Sequence, residues 1–584
     1  MRMPGTSAGR AASGPAGRPA RAAPGPQAGQ AAAGNGSADP ARVVADVPAP
    51  AGPQAPAPAG PQAPASPREA SRTGGRAERG PRRWLTDLAA LARRSPRLAA
   101  RHWLASLLLA AGIAARVLAL VAYRPALIYV DTLKYLYDSW SGSDPVGYKL
   151  PLHFILLFGN LELVAVIQHL LGLAMAVTLY AVLIRRGTAR WLAAIAIAPV
   201  LLDAYQLQSE QTIMPDVWLE ALIVAGLAVL AWRPVVSTRI CVAAGLILGA
   251  SATIRQIGEV LVVPAAVFVL LVAGGGWRNR LRQTVALCAA FLAPVLLYMA
   301  GSYDLTHHFS LSQSGSASTY GRMASAADCA TLQVPPALRP LCPAGAEHYV
   351  GADRLDHDAD SPAKTFIPPP GVSRAAAIGQ FNKDVLEQQP LRVAGAYAAD
   401  VIKLFALRRV TSPGDTPISR WQFQTYYPSY LDVTVGQDHL IVLGLKRPGG
   451  PVLYRTLDPA YGGPRAAVNR PLAQFLHSYQ RDGGYTPGPF LLLASLAGLA
   501  GTACALVLVF RRRSGSLQGQ LALGSLLFFL AAAADLLISD LPEFSWRYQL
   551  PAVVTLPVAG AFGIAALLRF GRDRQAGGRA SQAS

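Results

Sequence analysis

Ionisable side chains interrupt an otherwise apolar sequence at a few points, and their types define the chemistry open to it. In the stretch LALVAYRPALIYVDTLKYLYDSW an apolar run ends near Tyr123, and Asp131 follows among Tyr129, Tyr135 and Tyr137. A carboxylate held partly out of water in such surroundings has its pKa pushed up toward neutrality and can take a proton from a hydroxyl. The same residue also reads as the N-cap of a short amphipathic helix, VDTLKYLYDSW, and the two roles can coexist. Asp203, Glu210 and Asp216 form a second acidic group, Arg255 and Glu259 a mixed pair, and Asp535, Asp540, Glu543 and Arg547 a last cluster. Near membrane depth a charge is costly unless it faces a cavity or a partner. Any one of these residues could instead snorkel into headgroups. Their joint concentration on one face points to a polar cavity open to that side.

That face is defined by the apolar elements between the charges. Of the 584 residues 52% are hydrophobic and only 15% charged, with a mean hydropathy of +0.30, too apolar for a soluble multidomain protein. Runs near 18 residues with few or no charges are long enough to cross a hydrocarbon core of about 30 Å. We therefore expect an all-α polytopic membrane protein of about ten transmembrane helices. The candidate spans are 103–122, 162–184, 190–203, 215–232, 239–254, 257–273, 283–301, 489–510, 519–538 and 551–568. Basic connections follow the even-numbered spans: Arg185, Arg186 and Arg190, then Arg233 and Arg239, WRNRLRQ, RRRSGS and RFGRDR. With the basic N-terminal tail they fall on one side, which the positive-inside rule makes the cytoplasm. The expectation is a multi-pass plasma-membrane protein with both termini cytoplasmic. The opposite side receives the first outer loop, 123–161, and a soluble-like α/irregular extracytoplasmic domain at 302–488.

Residues 1–80, rich in Ala, Gly, Pro and Gln, are expected to be a disordered cytoplasmic tail without a cleavable signal. Residues 81–102 read as a basic juxtamembrane helix on anionic membrane lipids. The transmembrane core runs over 103–301, the C-terminal helices over 489–568 and a cytoplasmic tail over 569–584. The net charge of +20 resides largely in the tail and the short Arg-rich loops, with no basic stripe of interleaved aromatics, which argues against nucleic acid. Cys329 and Cys342, thirteen residues apart in the outer region, suggest a disulfide; two free thiols buried in a small domain are the alternative. Asp353, Asp356, His357, Asp358 and Asp360 could bind Ca²⁺, but the glycine and distal Glu of an EF-hand are missing, so a solvated acidic loop is expected. His307 and His308 lack a third nearby ligand for zinc. Residues 390–410 have helical apolar spacing and fit an amphipathic helix; a further span there would misplace RRRSGS. Walker loops, dinucleotide fingerprints and Gly-x-Ser-x-Gly elbows are absent.

Several segments resemble one family in order and sidedness. GYKLPLHFILLFG is similar to the Lys-Pro-Pro-Leu-type segment before span two of lipid-linked-sugar glycosyltransferases. EQTIMPDVWLEAL resembles their Asp at the start of span four, ATIRQIGEVLVVP their Arg-containing turn, and RYQLP touches the last outer turn. This is the GT-C superfamily, which includes protein O-mannosyltransferases and aminoarabinose transferases. The chain departs from it at Thr132, where an acidic neighbour of Asp131 is common, and at Leu150, which breaks the Lys-Pro-Pro pattern. The resemblance implies a membrane glycosyltransferase. It would move a hexosyl or pentosyl group from a polyprenyl-phosphate carrier to a cell-envelope acceptor, whether glycan, lipid or protein. The polyprenyl-phosphate sugar would be the donor substrate; no cofactor is required by the motifs, and a divalent cation is left open. Asp131 would be the catalytic base, and Lys149, Arg255 and Arg547 would hold the phosphate, with Tyr548 beside them. Asp216 would bind the acceptor or a metal, or cap span four. Structural pairing of Arg255 with Glu259 and of Arg547 with Glu543 is the alternative for those cations. A non-catalytic GT-C-like partner and a secondary transporter with an outward polar cavity are the rival readings.

Overall fold

Each of the ten apolar candidate spans becomes a helix, and local capping explains several of their ends. The computed structural model describes residues 99–582 apart from 130, 138–144, 273–275, 314, 344–350, 359, 413, 429–432, 436–439, 444–453 and 457–465. The expected tail and most of the juxtamembrane helix lie outside the described residues. Asn160 opens Leu161–Arg185 by accepting from the backbone N–H groups of Glu162 and Leu163, and Ser516 opens Leu517–Ser539 by accepting from Gly519. Among the described residues six helices are long and apolar enough to cross a membrane: Trp103–Ala122, Leu161–Arg185, Trp277–Thr306, Gly488–Phe510, Leu517–Ser539 and Leu550–Arg569. A seventh is counted if Arg190–Leu202 and Ala204–Gln211, bent by 47°, form one span. Asp216–Ala231, Thr238–Ile254 and Val262–Val272 are shorter. The protein is thus a helical, polytopic membrane protein.

Contacts sort the connections to two ends of the bundle. At one end Arg185 donates to the Trp232 carbonyl, Arg190 to that of Arg101 and Arg186 to that of Gln520. At the other, Gly147 donates to the Thr253 carbonyl, Gln211 to that of Tyr123, and Thr416 to that of Phe544. The basic connections therefore share one end, and the loops bearing Asp131, Arg255 and Arg547 share the other.

The insertion at 302–488 caps this second end. Tyr320–Ala326, Gly351–His357, Arg374–Gln388 and Pro390–Lys403 surround a small core that includes Tyr320, Leu341, Phe381 and Val385. The expected disulfide, Cys329–Cys342, borders it with a Cα–Cα distance of 5.9 Å. Tyr123–Arg124 pairs antiparallel with Ala467–Val468, tying the end of the first span to the last part of the insertion. The amphipathic stretch forms Pro390–Lys403, started by its proline and only 14 residues long, too short to span; Val393 and Asp400 are buried while Leu391 and Ile402 are exposed.

Of the acidic group Asp203, Glu210 and Asp216, the first two behave differently from the expectation that they line an open cavity. At Asp203 the chain bends, and the Ala204 N–H donates to Gly484 instead of to Val200. The carbonyls of Val200 and Leu201, released by this bend, accept from Arg116 of the first span at 2.9 and 3.0 Å. Arg116 also pairs with Glu210 at 2.7 Å, and both are almost wholly buried, 2% and 0% exposed. His169 contacts the other Glu210 oxygen at 2.8 Å. Glu210 is therefore consumed by an internal network, because the bend leaves polar backbone that must be satisfied away from water. Asp203 is likewise taken up: it caps Ala204–Gln211 and pairs with the buried Arg409 at 2.8 Å, joining bundle and insertion.

Candidate active site

Four backbone elements bring a cluster of charges together at the insertion end. Asp131 stands just before the Thr132–Leu136 helix, Asp216 begins Asp216–Ala231, Arg255 lies where Thr238–Ile254 breaks into a 3₁₀ turn, and Arg547 sits in the turn before Leu550. Arg547 is the hub. Its Nη1 is 3.5 Å from Asp131 Oδ2, its Nε 3.5 Å from Asp216 Oδ1, and its Nη2 donates to the Tyr548 hydroxyl at 3.2 Å. Arg255 Nη1 reaches the same Asp216 oxygen at 3.4 Å. The guanidinium of Arg547 stacks on Trp421 at 4.5 Å and faces Tyr548 at 4.8 Å, while Arg255 lies 5.3 Å from the Tyr548 ring. These aromatic faces hold the cations by charge–quadrupole attraction and keep water off them.

A cavity of ≈ 410 Å³ opens against this cluster, lined among others by Asp216, Glu220, Arg255, Glu259, Arg547 and Tyr548. Asp216 Oδ2 is buried without a hydrogen-bond partner, so the wall keeps an acceptor to spare. A larger recess of ≈ 640 Å³, between Ile195 and Phe490, contains none of the expected site residues.

The site thus unites five of the six residues singled out from the sequence. Lys149 stands apart: its Nζ donates to the Lys134 carbonyl at 3.3 Å and does not line the cavity. The expected pairings within Arg255–Glu259 and Glu543–Arg547 are replaced by pairings across the fold, since Asp216 lies between the two guanidiniums. Asp131 occupies the N-cap position, yet its side chain makes no capping hydrogen bond. It is 30% exposed and has Lys134 Nζ at 3.6 Å.

The expected rise in the Asp131 pKa is overturned. Burial does push its carboxyl up, but Lys134, Arg547 and Arg255 together more than offset this and hold it below the usual carboxylate range. Arg547 and Arg255 are distant in the sequence and Lys134 stands three residues on, whereas the tyrosines that suggested an apolar surround flank Asp131. Trp421 was missed because it belongs to the insertion, far from any transmembrane motif; Lys134 meets Asp131 one turn on, once Thr132–Leu136 is helical.

No family model matches the sequence, and no curated protein matches it. Solved structures similar to it include the S. cerevisiae protein O-mannosyltransferase Pmt1-Pmt2 complex bound to the sugar donor, at 16% identity over 38% of this chain and 36% of that one, with a TM-score of 0.29. The archaeal oligosaccharyltransferase AglB from Archaeoglobus fulgidus is 11% identical over 82% of this chain and 52% of its own, with a TM-score of 0.35. ArnT from Cupriavidus metallidurans, in the apo state, is 12% identical over 80% and 78%, with a TM-score of 0.28. The chain thus spans about a third to a half of the first two.

Proposed function

We propose that this protein is a membrane glycosyltransferase that moves a sugar from a polyprenyl-phosphate donor to an extracytoplasmic hydroxyl acceptor. The supporting observation is the convergence of Arg255, Arg547 and Asp216 on one cavity at the insertion end of an apolar helical bundle, with Asp131 held to Arg547 at 3.5 Å beside it. In this reading the donor phosphate enters the cavity and takes the fork of Arg547 together with Arg255. Arg matches phosphate oxygens with paired N–H donors and stays charged. The acceptor oxygen attacks the anomeric carbon as the bond from that carbon to the phosphate oxygen breaks. The bonding pair leaves with the polyprenyl phosphate, where the guanidiniums stabilise the growing charge. The acceptor proton passes to Asp131. Withdrawal of Arg547 toward the phosphate leaves Lys134 as the only cation paired with Asp131 among those at 3.5–3.6 Å, and so restores basicity when the acceptor needs it. Asp216, with one unused oxygen, orients the acceptor. The insertion end faces the extracytoplasmic side and both termini the cytoplasm, with glycan, lipid and protein acceptors all admitted by an open cavity.

The test is sugar transfer by the purified protein in lipid nanodiscs. It uses a panel of polyprenyl-phosphate sugars and a cell-wall extract, with Asp131→Asn beside wild type. Transfer by wild type and a fall of about 10²-fold or more in the folded variant is the expected result. Equal rates would remove Asp131 from the chemistry, and an inactive wild type across the panel would overturn the transferase reading.

The direction of the Asp131 shift adds a pH prediction. A carboxyl held below its usual value is ionised throughout pH 5–8, and its pairing with Arg547 is lost only as pH falls through the lowered value, below about 4. The profile of kcat/KM, which reports the free enzyme, should therefore show no acid limb from Asp131 above about pH 5. A limb near pH 6–7 that vanishes in Asp131→Asn would contradict it.

A further inference from the structure

The acidic run of the insertion is folded rather than solvated. Gly351–His357 is a helix, and Asp353 on its first turn is buried. Gly351 and Gly414, both at positive φ, let two backbones meet so closely that a Cβ on Gly351 would lie 2.0 Å from the Gly414 Cα. The Asp353 N–H donates to the Gly414 carbonyl, which fixes the start of the helix. One helical turn later His357 projects beside Glu543, which belongs to the turn carrying Arg547.

Two buried carboxylates, Asp353 and Glu543, then face one another. Both approach the same hydroxyl: Thr416 Oγ1 lies 3.1 Å from Asp353 Oδ1 and 3.4 Å from Glu543 Oε1. A hydroxyl has one proton to donate, so it serves only one of them. Glu543 Oε2 is buried with no hydrogen-bond partner, in a side chain 8% exposed, and points to His357 Nε2 at 3.4 Å. Arg420, itself 39% exposed, approaches Asp353 at 3.8 Å. Asp356, on the same helix, is turned away to accept from the Gly321 N–H. The two carboxylates crowd one hydroxyl and leave Glu543 Oε2 an unfilled acceptor aimed at His357.

We propose that Asp353, His357 and Glu543 form a site for a divalent transition ion of the zinc type. One ligand atom from each residue lies within 4.8 Å of the others. Tetrahedral zinc, with bonds of about 2.0–2.1 Å, places its ligand atoms about 3.4 Å apart, the separation found between His357 and Glu543. Two carboxylates and an imidazole are an accepted zinc donor set, and the fourth position is left for water. The ion would clip the insertion to the turn bearing Arg547, and this inference does not rest on the transferase reading.

The test is metal binding by the full-length protein in nanodiscs, stripped with a chelator, loaded with Zn²⁺, desalted and assayed for zinc. Wild type should retain about one equivalent and His357→Ala about none. Since His357 is 62% exposed, that substitution leaves the fold intact. A His307→Ala/His308→Ala control, altering two other histidines of this region, should bind as wild type does. Zinc-free wild type, or equal zinc in His357→Ala, would overturn the proposal. Loss of zinc in the control would do so too.

Discussion

Replacing Arg547 by Lys should lower sugar transfer by about 10²-fold or more, and replacing it by Met should lower it further. The charge survives in the first variant and the geometry does not. Arg547 reaches Asp131 and Asp216 from different nitrogens and at the same time packs 4.5 Å from the Trp421 ring centroid. A lysine ammonium is a point charge on a flexible stem, so it cannot hold both carboxylates and the ring face together. Removing a group that stabilises charge in the transition state costs about 3–4 kcal/mol in comparable sites. The Met variant also leaves Asp131 and Asp216 with only Lys134 and Arg255 to offset them. The measurement is transfer at saturating donor, with the melting temperature of each variant in the same nanodiscs. A Lys variant that melts with wild type and transfers at the wild-type rate would show that the hub acts only as a charge.

Replacing Arg116 by Met should destabilise the protein by about 3–5 kcal/mol, because Glu210 would remain as a charge with no counterion other than His169. The loss has a second part. The carbonyls of Val200 and Leu201 would lose the donor that answers the bend at Asp203. Adding Glu210→Gln to Arg116→Met removes the uncompensated charge, so the double variant should melt well above the single one. Gly172→Ala tests the same network by another route, since its Cβ would come 2.1 Å from Glu210 Oε1. Thermal unfolding in nanodiscs measures all three. An Arg116→Met protein that melts with wild type would mean that the network carries little stability.

The helical, polytopic architecture was legible because the apolar runs are long and the basic connections recur after every second span. The disulfide was legible for a local reason too, two cysteines close together in one loop. Most of the charged site was also visible as isolated residues at span ends. Arg116 was not. It sits inside an apolar run, and its need is created by a bend 85 residues away in the chain. Asp131 shows the same limit. Its sequence neighbours are tyrosines, which argue for a raised pKa, while two of the three cations that lower it come from spans five and ten. Asp353 looked solvated until the fold buried it beside Glu543. Composition and periodicity determine which segments enter the membrane, since burial in lipid acts on each segment separately. Ion pairing acts across space between atoms a few ångströms apart, so only the tertiary structure decides which charge answers which.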